Sequence, residues 1–203
     1  MAEKTFSGIL ELIGDKKFGF VREFSPSLPK GDDDYFVAPP IIKRYKLRDG
    51  VLIEGTLRPG RKGALQVDKV NTVMGVSPEE WAKTDDFENG QIVYPDKKLN
   101  LVTGPKDISM RVVDLAAPLG KGQRCLIVAP PRTGKTILLK QMAAAITQNH
   151  PEISLVALLV DERPEEVTDF RRSTSATVFA SSNDREEDNH VRVSTLSLEY
   201  SKR

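Results

Sequence analysis

Ala129-Pro130-Pro131-Arg132-Thr133-Gly134-Lys135-Thr136 lies between an apolar run, Cys125-Leu126-Ile127-Val128, and a helix-forming run, Ile137 to Ile146. Buried strand, tight loop and helix in that order are the setting of a phosphate-binding P-loop. Backbone N–H groups of the loop and the helix N-terminus would surround an anion. Lys135 would reach the terminal phosphates and the Thr136 hydroxyl would hold Mg²⁺. The usual pattern is G-x-x-x-x-G-K-[ST], and Ala129 takes its first Gly position. A surface turn with a chance Gly-Lys-Thr is the competing reading. Strand and helix in register favour a nucleotide site.

Downstream, Asn149-His150-Pro151 ends the helix, since Pro lacks an amide donor. Ser154 to Val160 reads as a second apolar strand, expected to be buried on both faces of a parallel sheet. Asp161-Glu162-Arg163-Pro164 follows at its end. Ligands of open α/β sheets bind at the carboxyl ends of strands. A carboxylate there, Glu162, is suited to orient and deprotonate a water aimed at the γ-phosphate. Capping of the helix starting near Pro164 is its alternative role, and Asp161 could serve equally. Arg163 would sit beside the nucleotide, or form a surface ion pair. Glu165–Arg172 reads as helix, Thr177–Ala180 as a third strand and Val191–Lys202 as helix.

The front of the chain has strand periodicity. Thr5 to Ile13 reads as a strand with Gly8 as a bulge. After Gly14-Asp15-Lys16 comes Lys17-Phe18-Gly19-Phe20-Val21-Arg22. Phe18 and Phe20 would share one strand face, with Gly19 on the other. Two rings on an open sheet, flanked by Lys17 and Arg22, make a platform on which unpaired bases stack; burial in a core is the alternative. Asp34-Tyr35-Phe36-Val37 resumes as strand, Pro40–Leu47 as a short basic helix or turn, and Val51–Leu57 and Ala64–Val73 as two more strands. Five short strands suggest an OB-type barrel. The aromatic runs resemble those of cold-shock domains, which bind single-stranded nucleic acid. Residues 74–104 read as a connector, with Ser77 capping a short helix from Pro78 and Trp81 as a packing anchor.

The 203 residues suit one or two domains, and 39% hydrophobic with 29% charged suits a soluble fold. Residues 1–75 hold 13 Lys/Arg against 10 Asp/Glu and the remainder 17 against 19, a mildly basic front compatible with a polyanion partner. No apolar run reaches the ~18 residues of a membrane span, and the N-terminus lacks a signal-peptide core; a cytoplasmic location is expected. Cys125 is the only cysteine, so no intramolecular disulfide forms, and its apolar strand suggests inert packing.

Together, Phe18-Gly19-Phe20, Asp34-Tyr35-Phe36-Val37, Gly120-Lys121-Gly122-Gln123-Arg124, the Ala-Pro-Pro P-loop and Asp161-Glu162-Arg163-Pro164-Glu165-Glu166-Val167-Thr168-Asp169 resemble the bacterial transcription termination factor Rho family, from about Phe6 to Arg203. The Ala129 variant is characteristic of that family. The resemblance implies an OB-fold/cold-shock-like five-stranded barrel (5–75) after a short leader (1–4), a connector (76–104), and an incomplete RecA-like P-loop ATPase core (105–203). It also implies a homohexameric, ATP-driven RNA helicase acting with RNA polymerase. RNA contacts carry over to Lys17, Phe18, Gly19, Phe20, Val21, Arg22, Asp34, Tyr35 and Phe36. ATP contacts carry over to Gly120 through Cys125, that is Gly120, Lys121, Gly122, Gln123, Arg124 and Cys125, and to Arg132, Thr133, Gly134, Lys135, Thr136 and Ile137. Glu162 matches the water-activating glutamate and Arg163 a further nucleotide contact.

The sequence departs from the family in three places. A Glu-x-Tyr-type RNA contact before the fifth strand is absent, or replaced by Arg61. The small helical domain that often precedes the barrel is not seen. The strand carrying the Walker B aspartate, the ring-lining loops and the arginine finger would fall beyond Arg203, so the chain is expected to be a fragment. It should bind RNA, bind nucleotide weakly and show negligible turnover, since an arginine finger is worth on the order of 10³–10⁵ in rate. Two other readings remain: a single-stranded RNA-binding module with a vestigial nucleotide site, and a relative of the rotary ATP synthase subunits. RNA binding by the front domain separates them.

Overall fold

The computed structural model describes residues 4–14, 18–31, 34–60 and 64–203. The turn at Asp15-Lys16, the expected RNA contact Lys17, and Arg61, Lys62 and Gly63 of the fourth turn lie outside the described residues. The chain forms two compact units: residues 1–90 with 158–162 and 179–203, and residues 91–157 with 163–178.

In the first unit five strands close into a barrel: β1 (Lys4–Leu12), β2 (Gly19–Glu23), β3 (Tyr35–Val37), β4 (Leu52–Pro59) and β5 (Leu65–Val73). Their order is β1-β2-β3-β5-β4, closed by antiparallel β1–β4 pairing, with β3 and β5 parallel. This is the expected OB arrangement. α1 (Pro39–Arg44) lies between β3 and β4. Inward-facing Phe6, Leu10, Val21, Val37, Val51, Ile53, Val67 and Val70 fill the barrel. Each such fully buried side chain contributes about 1.5–3 kcal/mol. α2 (Pro78–Trp81) plugs one side. Ser77 and Glu80 cap it reciprocally, and the buried Trp81 donates its Nε1–H to the Lys46 carbonyl at 3.1 Å.

Gly8 is not a bulge. It pairs regularly with Glu23 and Ile53. A Cβ there would meet the Arg22 carbonyl oxygen at 2.3 Å, so close strand approach is what requires glycine. The register shifts fall between β4 and β5, at Glu54/Gly55 and Thr56/Leu57.

The second unit contains α3 (Ile108–Ala116), α4 (Lys135–Asn149) and α5 (Pro164–Ser173). Its core is Leu101, Met110 and Ala145, packed with Leu138, Met142 and Ile146. β6 (Val156–Glu162) and β7 (Thr177–Ser182) pair, and α6 (Glu187–Ser201) follows. Thr177 N–H donates to the Leu155 carbonyl and Asn183 N–H to that of Glu162. The partners advance together, so the pair is parallel.

Two expectations for this half fail. Residues 124–128 form no strand: Leu126 is 84% and Val128 83% exposed. A strand of this composition is stable only between neighbours that take its N–H and C=O groups, and none of the described strands pairs with it. Cys125 is consequently exposed rather than packed. β6 is also not buried on both faces, with Leu158 and Val160 at 40% and 45% exposure. Among the described residues no helix is long and apolar enough to cross a membrane.

Candidate RNA-binding face and nucleotide loop

The pleat of β2 and β3 sorts the expected RNA contacts. Phe20 pairs with Glu11 on one side and Phe36 on the other, and Phe36 pairs with Gln66, so these four share the outer face. Phe18 joins them from the turn before β2. Phe18, Phe20 and Phe36 form a half-exposed triad with centroids 6.0, 5.7 and 5.9 Å apart. Beside Phe36 an open cleft of about 620 Å³ runs along Pro59, Gly60 and Gln66. Rings left on a barrel's outside with a cleft alongside can stack on flat, unpaired bases.

The alternate positions turn inward. Val21 is buried, and Tyr35 packs on Phe6 at 5.9 Å between centroids. Val21 belongs to the barrel core and the half-buried Tyr35 packs against it. Gly19 also faces inward, where a Cβ would lie 2.6 Å from the Glu11 carbonyl oxygen. Its role is to let β1 and β2 close up beneath the rings.

Arg22 is only 5% exposed. Its Nε donates to Glu11 at 2.5 Å, its Nη1 donates to Asp34, and its guanidinium lies 5.3 Å from the Phe20 centroid. Asp34 also accepts from the Gly31 N–H at 2.8 Å. Arg22 therefore holds the platform edge, with its charge already balanced. Sequence reasoning missed Glu11 and Arg192. Arg192, on α6, donates to the same Glu11 oxygen at 3.0 Å and to the Leu28 carbonyl at 2.5 Å. A lone carboxylate inside the apolar run Ile9-Leu10-Glu11-Leu12-Ile13 was the available signal.

In the second unit the loop before α4 has P-loop character. Arg132 (φ 62°) and Gly134 (φ 96°) are both left-handed, and the Thr133 hydroxyl donates to the Pro130 carbonyl at 2.7 Å. Alternating left-handed residues turn successive N–H groups toward one concavity. Gly134 is the N-cap of α4 and supplies no side-chain cap, so first-turn N–H groups stay available for an anion. Lys135 and Thr136 open the helix, Lys135 exposed and Thr136 half-exposed. These residues fit a nucleotide phosphate with its Mg²⁺.

The approach segment is held differently. Gly120 N–H donates to the Gln123 side chain at 2.8 Å, and Gly122 is left-handed at φ 86°. Lys121 pairs with Glu152 at 2.5 Å, and this hydrogen bond holds the Glu152 carboxyl at about 2, well below the usual range. Arg124, Cys125 and Ile137 are exposed. Glu162 closes β6 just after the left-handed Asp161 (φ 56°), and Arg163 is the N-cap of α5.

Comparison with known proteins agrees with this division. Residues 6–79 match the family described as Rho termination factor, RNA-binding domain, and residues 109–192 match the ATP synthase alpha/beta family, nucleotide-binding domain. Transcription termination factor Rho of Haemophilus influenzae is 42% identical over 97% of this chain and 48% of its own length. The protein of that name from Cereibacter sphaeroides is 43% identical (97% and 47%), and that from Bacillus subtilis 42% (97% and 46%). The chain spans about half the length of the curated relatives it matches. Over nearly its whole length the chain is homologous to transcription termination factor Rho.

Proposed function

We propose that the barrel binds single-stranded RNA by stacking bases on Phe18, Phe20 and Phe36. The observation that carries this is the outward aromatic triad, left half-exposed while its strand neighbours fill the core. Arg22, paired with Glu11 and Asp34, fixes the platform edge beside Phe20.

The nucleotide loop supports a second part of the reading. Gly134, Lys135 and neighbouring N–H groups would hold the phosphates of ATP, Thr136 would ligate Mg²⁺, and Glu162 would accept a proton from the attacking water. Bound Mg²⁺ supplies charge neutralisation on the phosphates. The whole-protein activity is then RNA-dependent ATP hydrolysis driving translocation and transcript release, by a cytoplasmic homohexamer working on an RNA polymerase complex. The 203-residue chain alone binds RNA without turnover, because Leu126 and Val128 before the P-loop are exposed and no described strand pairs with the run 124–128. That same observation favours a second reading, an RNA-binding module whose nucleotide loop is idle.

Fluorescence anisotropy of a labelled cytidine-rich RNA with purified 1–203 tests the first part. Binding that disappears in Phe18→Ala/Phe20→Ala, with a shallow salt dependence, is expected for stacking. Absence of binding by the unmodified protein at low salt would refute it. MgATP binding lost in Lys135→Ala would exclude the idle-loop reading.

A further inference from the structure

A polar cleft of about 790 Å³ adjoins the aromatic face within the first unit. Glu11 lines it, and Glu11 is the strand partner of Phe20. The cleft therefore begins one strand spacing, about 4.8 Å, from the platform. Its far wall is the turn before α6, with Arg185, and the first turns of α6, with Asn189 and Arg192; its near wall is the β2–β3 loop, with Ser27 and Lys30.

Three features point to a ligand. Lys30 and Arg185 are exposed and make no ion pair among the described residues. Arg192 is 12% exposed in its side chain, and its buried Nε finds no partner among the described residues. A buried unpaired donor costs about 1–3 kcal/mol, so a ligand acceptor reaching it would be favoured. The lining is also mixed: Asp184, Glu186 and Asp188 share it with Lys30 and Arg185. A simple anion would meet repulsion there. A nucleotide offers both signs, a phosphate for Lys30 and Arg185, and ribose hydroxyl and base-amino donors for the carboxylates, Ser27 and Asn189.

We propose that this cleft seats a further nucleotide of the RNA strand whose neighbouring base stacks on Phe20. The proposal rests on the platform reading above. It extends the RNA path from β2, over the Arg22–Glu11–Arg192 chain, onto α6.

The test compares labelled oligocytidylates of two and eight nucleotides with the unmodified protein, Lys30→Glu/Arg185→Glu, and Phe20→Ala. The double variant should bind the dinucleotide within about twofold of the parent and the octanucleotide at least about tenfold more weakly. The slope of log K against log salt for the octanucleotide should fall by about 0.7, the value for one lost phosphate contact on a single strand. Unchanged octanucleotide affinity and slope in the double variant, with loss in Phe20→Ala, would overturn the cleft and leave the platform standing. No binding of either length by the parent would overturn both. Trp81 fluorescence reports whether the reversals disturb the barrel. If they do, Lys30→Ala/Arg185→Ala replaces them, with a slope change of the same size expected and an unchanged slope counting against the cleft.

Discussion

Replacing Glu11 by Ala should destabilise the barrel by about 3 kcal/mol. Glu11 is 8% exposed and accepts from two guanidiniums, Arg22 at 2.5 Å and Arg192 at 3.0 Å. With Asp34 the cluster holds two carboxylates and two arginines, so its charge is balanced. Deleting one carboxylate leaves an uncompensated buried charge, which typically costs 3–5 kcal/mol. The lower end applies because Arg22 retains Asp34, and Arg192 retains the Leu28 carbonyl. With an m-value of about 1–3 kcal/mol/M in urea, the midpoint should fall by about 1–3 M. Urea unfolding followed by Trp81 fluorescence is the assay, since Trp81 sits in the barrel core. The companion Glu11→Leu/Arg192→Met should recover part of the loss by removing one charge of each sign. A loss below about 1 kcal/mol in Glu11→Ala would refute the reasoning, because that is how solvated surface pairs behave.

Phe36→Ala should weaken RNA binding by about 1–3 kcal/mol, or roughly 5- to 150-fold, while Phe36→Tyr keeps the ring and the affinity; equal loss in both, by anisotropy, would argue against stacking. Gly19→Ala places a methyl 2.6 Å from the Glu11 carbonyl oxygen and should cost about 1–3 kcal/mol of stability, read as a lowered thermal midpoint; an unchanged midpoint would mean the strands relax freely. Lys135→Ala should abolish MgATP binding by calorimetry and leave RNA affinity unchanged; a parallel loss of RNA binding would contradict separate sites. The Lys121 hydrogen bond depresses the folded Glu152 pKa to about 2 from 4.5, so its stabilisation is complete above pH 4.5 and fades as pH falls toward 2. An NMR titration should place the Glu152 midpoint near pH 2 and return it toward 4.5 in Lys121→Ala, whereas an unmoved midpoint would assign the shift elsewhere.

The barrel was legible because its information is local. Each strand alternates, each turn carries its own Gly or Pro, and closure needs no residue outside 4–73. The placement of Phe18 and Phe20 on one face followed from a period of two, and Phe36 joined them through register. What the period could not tell was which face is inside at Tyr35, because β3 is only three residues long. Nor could it show that Arg22 is neutralised, since Glu11 and Asp34 are 11 and 12 residues away and Arg192 lies 170 positions downstream. Glycine was misjudged at position 8 for the same reason: a bulge and a close strand approach leave the same residue in sequence, and only pairing separates them.

The nucleotide half reads differently because its strands are not self-sufficient. A barrel satisfies every strand within five segments, whereas a parallel strand preceding a P-loop depends on neighbours brought in by long crossovers. The loop geometry at Arg132 and Gly134 and the helix from Lys135 form without those neighbours, since left-handed turns and i→i−4 bonds are local. The run 124–128 does not, and stands exposed. Loop geometry and strand formation are thus separable here: the left-handed turns at Arg132 and Gly134 are encoded locally, while the strand expected before them needs partners for its N–H and C=O groups. The proposed RNA binding without turnover rests on this difference, because the aromatic face stands on a closed barrel while the run leading into the loop pairs with no described strand.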